Sequence, residues 1–129
     1  MAGENLVGRD GIAIDTVCRE INMAMQQELA KGGAVLDAIY YCPHLPDEGC
    51  ECRKPKTGMI ENAMRDFPID RENSWMIGDK AIDVEVGKNA GLKTALVLTG
   101  YGQREVDSCE PDIVAENLFE AVTEIIKQR

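Results

Sequence analysis

The stretch from Cys42 to Pro55, Cys-Pro-His-Leu-Pro-Asp-Glu-Gly-Cys-Glu-Cys-Arg-Lys-Pro, constrains this chain more than any other. It holds three of the five cysteines and the only histidine. Cys42 and His44 form a C-x-H pair, and Cys50 and Cys52 follow as C-x-C. Three thiolates and an imidazole are the donor set of a closed tetrahedral Zn²⁺ site. Pro43, Pro46 and Gly49 disfavour a helix or strand here, and a loop without a core can be held by a metal instead. A surface loop with incidental cysteines is the plain alternative, and a disulfide framework is another. The odd count and the closeness of Cys50 to Cys52 argue against disulfides. Met1-Ala2-Gly3-Glu4-Asn5 has neither the basic nor the apolar part of a secretory leader. Metal binding in the cytoplasm is therefore the expectation.

A length of 129 residues suits a single core, so residues 1–129 are expected to form one domain. No apolar run approaches the ~18 residues of a membrane span, so no membrane partner is expected. A net charge of −9 argues against general nucleic-acid binding, which needs a basic surface. Arg53, Lys54 and Lys56 form a small basic focus beside the cysteines. In an acidic chain such a focus is either where an anionic ligand goes or a solvated face.

Apolar residues at Ile14, Val17, Ile21, Met25 and Leu29 predict a helix from Ala13 to about Lys31, ended by Gly32-Gly33. Val35–Tyr41 reads as a strand running into the cysteine loop. A second helix opens at Thr57-Gly58 and closes at Pro68. Ser74–Ile77 reads as a buried strand, with Trp75 in the core, and leads into Gly78-Asp79-Lys80. A third helix spans about Lys80 to Ala90 with Ile82 and Val86 inward, and Gly91 is its C-terminal cap. Thr94–Leu98 has the continuous apolar character of a doubly covered parallel strand. Thr99–Gly102 is read as a turn, Asp112–Ala115 as a short strand and Leu118–Ile126 as a last helix. Cys18 is expected to be a small buried hydrophobe. Helices alternating with strands predict an α/β fold with a parallel sheet, whose ligands sit beyond the carboxyl ends of the strands.

Those ends carry the Cys42 loop, Gly78-Asp79-Lys80 and Thr99-Gly100. Asp79 and Asp83 are two carboxylates suited to Mg²⁺, which takes oxygen ligands and keeps several waters. Asp79 reads equally as a helix N-cap. Lys54 could hold a phosphate as a point charge, and Arg53 could fork onto it.

Together the strings Tyr40-Tyr41-Cys42-Pro43-His44, Cys50-Glu51-Cys52-Arg53-Lys54-Pro55-Lys56-Thr57-Gly58-Met59 and Ile77-Gly78-Asp79-Lys80-Ala81-Ile82-Asp83 resemble a known family. It is that of the D-glycero-D-manno-heptose-1,7-bisphosphate phosphatases and the related histidinol-phosphate phosphatases, of the haloacid-dehalogenase (HAD) superfamily. The resemblance runs from about the first helix to the end of the chain. It implies a HAD-type, Rossmann-like parallel sheet with flanking helices and a zinc loop, acting on a phosphorylated small molecule such as a sugar phosphate. It implies that Cys42, His44, Cys50 and Cys52 bind a structural Zn²⁺. It further implies that Lys54 neutralises the transferring phosphoryl group, that Arg53 and Lys80 contact substrate, and that Asp79 binds Mg²⁺ with Asp83 supporting that site.

The family's reaction starts from an aspartate in a D-x-D-G-T motif, and this sequence contains no such string. Gly8-Arg9-Asp10-Gly11-Ile12 is the nearest, with glycine in the nucleophile's place. Asn5–Arg9 fits better as a remnant of the family's second motif. The expectation is thus a partial, N-terminally truncated domain with little or no phosphatase activity alone. Its alternatives are one part of a split phosphatase and a zinc-stabilised module that binds phosphate ligands without hydrolysing them. Missing strands would leave apolar edges, so self-association or a strand-supplying partner is also expected.

Overall fold

A run of buried residues at Thr94, Ala95, Leu96 and Val97 organises the fold. Successive strand residues face opposite sides, so four buried in a row mean a strand covered on both faces. The computed structural model describes residues 14–42 and 49–128, without the side chains of 14–17. His44 and the whole of Asn5–Ile12 lie outside the described residues. The chain divides into two compact units, one ending at Arg53 and the other running from Lys54 to Arg129.

In the unit up to Arg53, helix α1 spans Ile14–Lys31. Gly33 ends it with φ of 81°, and the N–H groups of Gly32, Gly33 and Ala34 close back onto the carbonyls of Leu29 and Ala30. Cys18 is buried, as its place on the helix predicts. The strand expected over Val35–Tyr41 does not form. Residues 38–42 have no regular structure, and Val35 is exposed. β-prone side chains favour an extended chain, but a strand also needs a neighbouring edge to pair its N–H and C=O groups. Among the described residues only 75–78, 93–97 and 113–115 form such ladders.

The second unit is α/β. Helix α2 spans Gly58–Asp66, strand β1 Trp75–Gly78, helix α3 Ala81–Asn89 and strand β2 Lys93–Val97. A four-residue helix α4, Gly102–Glu105, replaces part of the expected turn. Strand β3, Ile113–Ala115, and helix α5, Leu118–Lys127, complete it. The three strands are parallel in the order β1-β2-β3, with Ile77 beside Ala95 and Ala95 beside Ile113. Helix α3 packs on β1 and β2, and α5 packs on β2 and β3. This is the parallel sheet with flanking helices that the alternation predicts.

Two contacts fix how closely these layers meet. A Cβ at Gly87 of α3 would lie 2.6 Å from Thr94 Cγ2 and 2.9 Å from Met76 Cβ, so only glycine lets α3 approach the sheet this far. The buried residues of α3 are Asp83, Val84, Val86 and Gly87, and Ala90 just after it is buried too, whereas Ile82 is half-buried. Asp112 stands just ahead of β3 and accepts from the Thr94 backbone N–H at 2.8 Å and from Thr94 Oγ1 at 3.2 Å. This satisfies the buried threonine and sets the β2–β3 register. Trp75, expected in the core, is half-buried with Lys93 Nζ 5.7 Å from its ring, because the first residue of an outer strand is covered on fewer sides.

Candidate functional site

The polar ends of β1 and β2 meet at Asp79, Asp83, Tyr101 and Lys54. Strand β1 ends at Gly78 because the chain must turn into α3 while a carboxylate fills the space beside it. A Cβ at Gly78 would lie 2.3 Å from Asp83 Oδ2. Asp83 is 4% exposed, and both of its oxygens are engaged. Its Oδ2 accepts from the backbone N–H groups of Asp79, at 3.2 Å, and Lys80, at 3.1 Å. Its Oδ1 accepts from Lys54 Nζ. A buried carboxylate is tolerated only when paired and hydrogen-bonded, and here the pairing ties the start of the Lys54–Arg129 unit to the turn after β1.

The two carboxylates therefore differ in what they can do. Both oxygens of Asp83 already accept hydrogen bonds, so of the expected pair it is the one suited to support the turn and the lysine. Asp79 is not the N-cap of α3, a place taken by Lys80. Its Oδ2 accepts from the Tyr101 backbone N–H at 3.0 Å. Gly100 makes this approach possible: its φ is +64°, and a Cβ there would lie 2.3 Å from Asp79 Oδ2. A single half-buried carboxylate at a strand's carboxyl end fits Mg²⁺, which commonly takes one or two protein carboxylates and fills its other positions with water and phosphate oxygens.

Lys54 keeps part of its side chain, 38%, open to solvent while its ammonium is held by Asp83. Lys80 is exposed, with its ammonium 4.5 Å from the Tyr101 ring centroid. Tyr101 was not marked by any motif. The only signal available was the glycine on either side of it, which announces a turn but not a site.

In the unit up to Arg53, three of the four predicted zinc ligands converge. The sulfurs of Cys42, Cys50 and Cys52 lie within 4.8 Å of one another. Cys42 Sγ is 3.5 Å from Cys50 Sγ and accepts from Cys52 Sγ at 3.1 Å. Four sulfurs at ~2.3 Å around zinc would stand about 3.8 Å apart, so a small adjustment accommodates the ion. The close sulfurs also split their acidities. Withdrawal from water opposes ionisation of Cys50, but hydrogen bonds from Cys42, Cys52 and nearby backbone N–H groups bring it down to about 6. Withdrawal from water and the neighbouring sulfurs push Cys52 up to about 12. A positive ion among the three would relieve that conflict. Arg53 is half-buried at the end of this unit.

Residues 51–121 match the HAD-hydrolase-like family. The chain is 40% identical over 130 aligned positions to the D-glycero-D-manno-heptose-1,7-bisphosphate 7-phosphatase of Thermosynechococcus vestitus, covering 88% of this chain and 66% of that one. It is 42% identical over 97 positions to the D-glycero-beta-D-manno-heptose-1,7-bisphosphate 7-phosphatase of Haemophilus ducreyi, covering 70% of this chain and 53% of the relative. It also superposes on the crystal structure of D,D-heptose 1,7-bisphosphate phosphatase from B. bronchiseptica, complexed with magnesium and phosphate. The TM-score is 0.80 at 33% identity, over 87% of this chain and 64% of that one. The chain thus spans about half to two thirds of the length of these proteins.

Proposed function

The chain belongs to the HAD-hydrolase-like family, and from that premise we propose that it is the phosphate-holding part of a Mg²⁺-dependent sugar-phosphate phosphatase of the heptose-bisphosphate class. The observation that carries this reading is the Lys54–Asp83 pair at the end of β1, next to Asp79. It is supported by the relatives' names and by the magnesium and phosphate in the solved relative.

Each residue has a role in this proposal. Asp83 holds the Lys54 ammonium in place, and the ammonium's remaining N–H groups donate to oxygens of the transferring phosphoryl group. Asp83 also fixes the Asp79-Lys80 turn through two backbone N–H groups, so Asp79 presents one carboxylate oxygen while the other is held by Tyr101. Bound at Asp79, Mg²⁺ would supply charge neutralisation for the phosphoryl oxygens. Lys80 and Arg53 bind substrate. Cys42, His44, Cys50 and Cys52 hold a structural Zn²⁺, for which a reducing compartment, the cytoplasm, is suited. Residues 1–129 act as one partial phosphatase domain.

Phosphoryl transfer in this class needs an aspartate nucleophile, and these 129 residues contain no D-x-D-G-T. The proposal is therefore that these residues hold phosphate ligands, and that turnover needs a segment with D-x-D-G-T that brings the aspartate and pairs with β1, an outer strand of the described sheet. The test is phosphate release from D-glycero-D-manno-heptose 1,7-bisphosphate with Mg²⁺, with and without a fragment carrying D-x-D-G-T. Binding without release by the chain alone, and release when the fragment is added, is the expected result. Rapid release by the chain alone would defeat the nucleophile-deficient reading.

A further inference from the structure

Two cations gather on one exposed ring beside Asp79. Lys80 Nζ lies 4.5 Å from the Tyr101 ring centroid, and Arg104 Cζ lies 5.6 Å from it. Both are cation–π distances. Tyr101 is 48% exposed, and Lys80 and Arg104 are exposed too. The Tyr101 backbone N–H donates to Asp79 Oδ2, which anchors the ring to the end of β1. Among the described residues, neither Lys80 nor Arg104 makes an ion pair.

In a chain of net charge −9, Lys80 and Arg104 bring two positive charges to one ring, and neither makes an ion pair among the described residues. The negative face of the ring attracts both of them, and an anion would complete the group. Lys54 has a different partner. The Lys54 ammonium is tied to the buried Asp83, while Lys80 and Arg104 stand at the exposed ring. The two sets of cations reach Asp79 by different routes. Lys54 does so through Asp83 and the turn, and Lys80 and Arg104 do so through Tyr101. A ligand with two separated anionic groups suits such a site better than one with a single group.

We infer that Arg104, with Lys80 and on a Tyr101 platform, is a specificity-determining clamp for the second phosphate of a bisphosphorylated small molecule. Arg104 contacts the ligand, and Tyr101 is a positioning residue that acts through the two cations. The inference rests on the phosphate-holding role proposed for Lys54 and Asp79.

The experiment is titration calorimetry of the whole chain without added Mg²⁺, using D-glycero-D-manno-heptose 1,7-bisphosphate and heptose 7-phosphate. The unaltered chain should bind the bisphosphate at least tenfold more tightly. Arg104→Gln should weaken bisphosphate binding about tenfold, the scale of one charged hydrogen bond, and change monophosphate binding less than twofold. Tyr101→Leu should behave like Arg104→Gln, while Tyr101→Phe keeps the ring and the preference. Equal weakening of both ligands by Arg104→Gln, or none, overturns the clamp, as does a Tyr101→Leu chain that retains the preference. An unaltered chain that binds both ligands equally overturns the clamp and leaves the phosphate-holding reading standing. A chain that binds neither, with Mg²⁺ added as well as without it, overturns both.

Discussion

Asp83 accepts from Lys54 with one oxygen and from the backbone of Asp79 and Lys80 with the other. A single buried carboxylate thus holds a cation and shapes a turn. Asp83→Ala would leave two backbone donors without their acceptor and Lys54 without its partner. Because Lys54 is partly open to solvent, the loss should fall short of a fully buried pair, at about 2–3 kcal/mol. Denaturant unfolding should show it as a lower midpoint. Asp83→Asn, which keeps an acceptor for the backbone, should cost less stability and still weaken phosphate binding, because Lys54 is no longer fixed. Unchanged phosphate affinity in Asp83→Asn would mean that Lys54 does not depend on this pair.

Gly100 and Asp79 give a second prediction. Gly100→Ala would put a Cβ against Asp79 Oδ2 and strain a backbone with φ of +64°. Overlap of this kind costs about 1–3 kcal/mol, and the carboxylate is the part free to move. Mg²⁺ titration should therefore show weaker binding in Gly100→Ala even at temperatures where circular dichroism reports a folded chain. Wild-type Mg²⁺ affinity in that variant would remove Asp79 from the metal site.

The cysteine cluster predicts about one zinc per chain, following the four-ligand rule for closed sites. Cys50→Ser should release it, as should a strong chelator, and both should lower thermal stability. Hydrogen exchange should then rise around residues 49–53. Elemental analysis that finds no zinc in the unaltered chain, or full zinc in Cys50→Ser, would contradict the assignment.

Strand β1, outer in the described sheet, and the exposed apolar face of α5, with Leu118 58% and Phe119 75% exposed, predict association. Light scattering should give a mass above the 14.2 kDa of one chain, rising with concentration. A monodisperse monomer at high concentration would argue against self-association. Leu118→Lys and Phe119→Lys together should reduce the mass if α5 is the surface involved, while leaving it unchanged would point to β1.

The spacing of Cys42, Cys50 and Cys52 along the sequence was enough to predict that their sulfurs meet, because soft ligands placed two and eight residues apart in a proline-rich loop have few other uses. The period of apolar residues likewise marked α1, α2, α3, β2 and α5 within a residue or two, since burial of one face imposes that period locally. Other features depended on long-range partners. The Val35–Tyr41 run has strand composition but no ladder, because pairing belongs to two chain segments and is written in neither alone. Asp79 and Asp83 looked like equals in G-D-x-x-x-D. Folding separated them by bringing Lys54, 29 residues before Asp83, to one carboxylate and the Tyr101 N–H, 22 residues after Asp79, to the other. Residue type and spacing thus determined which chemistry was available, and the tertiary structure decided how each carboxylate is held.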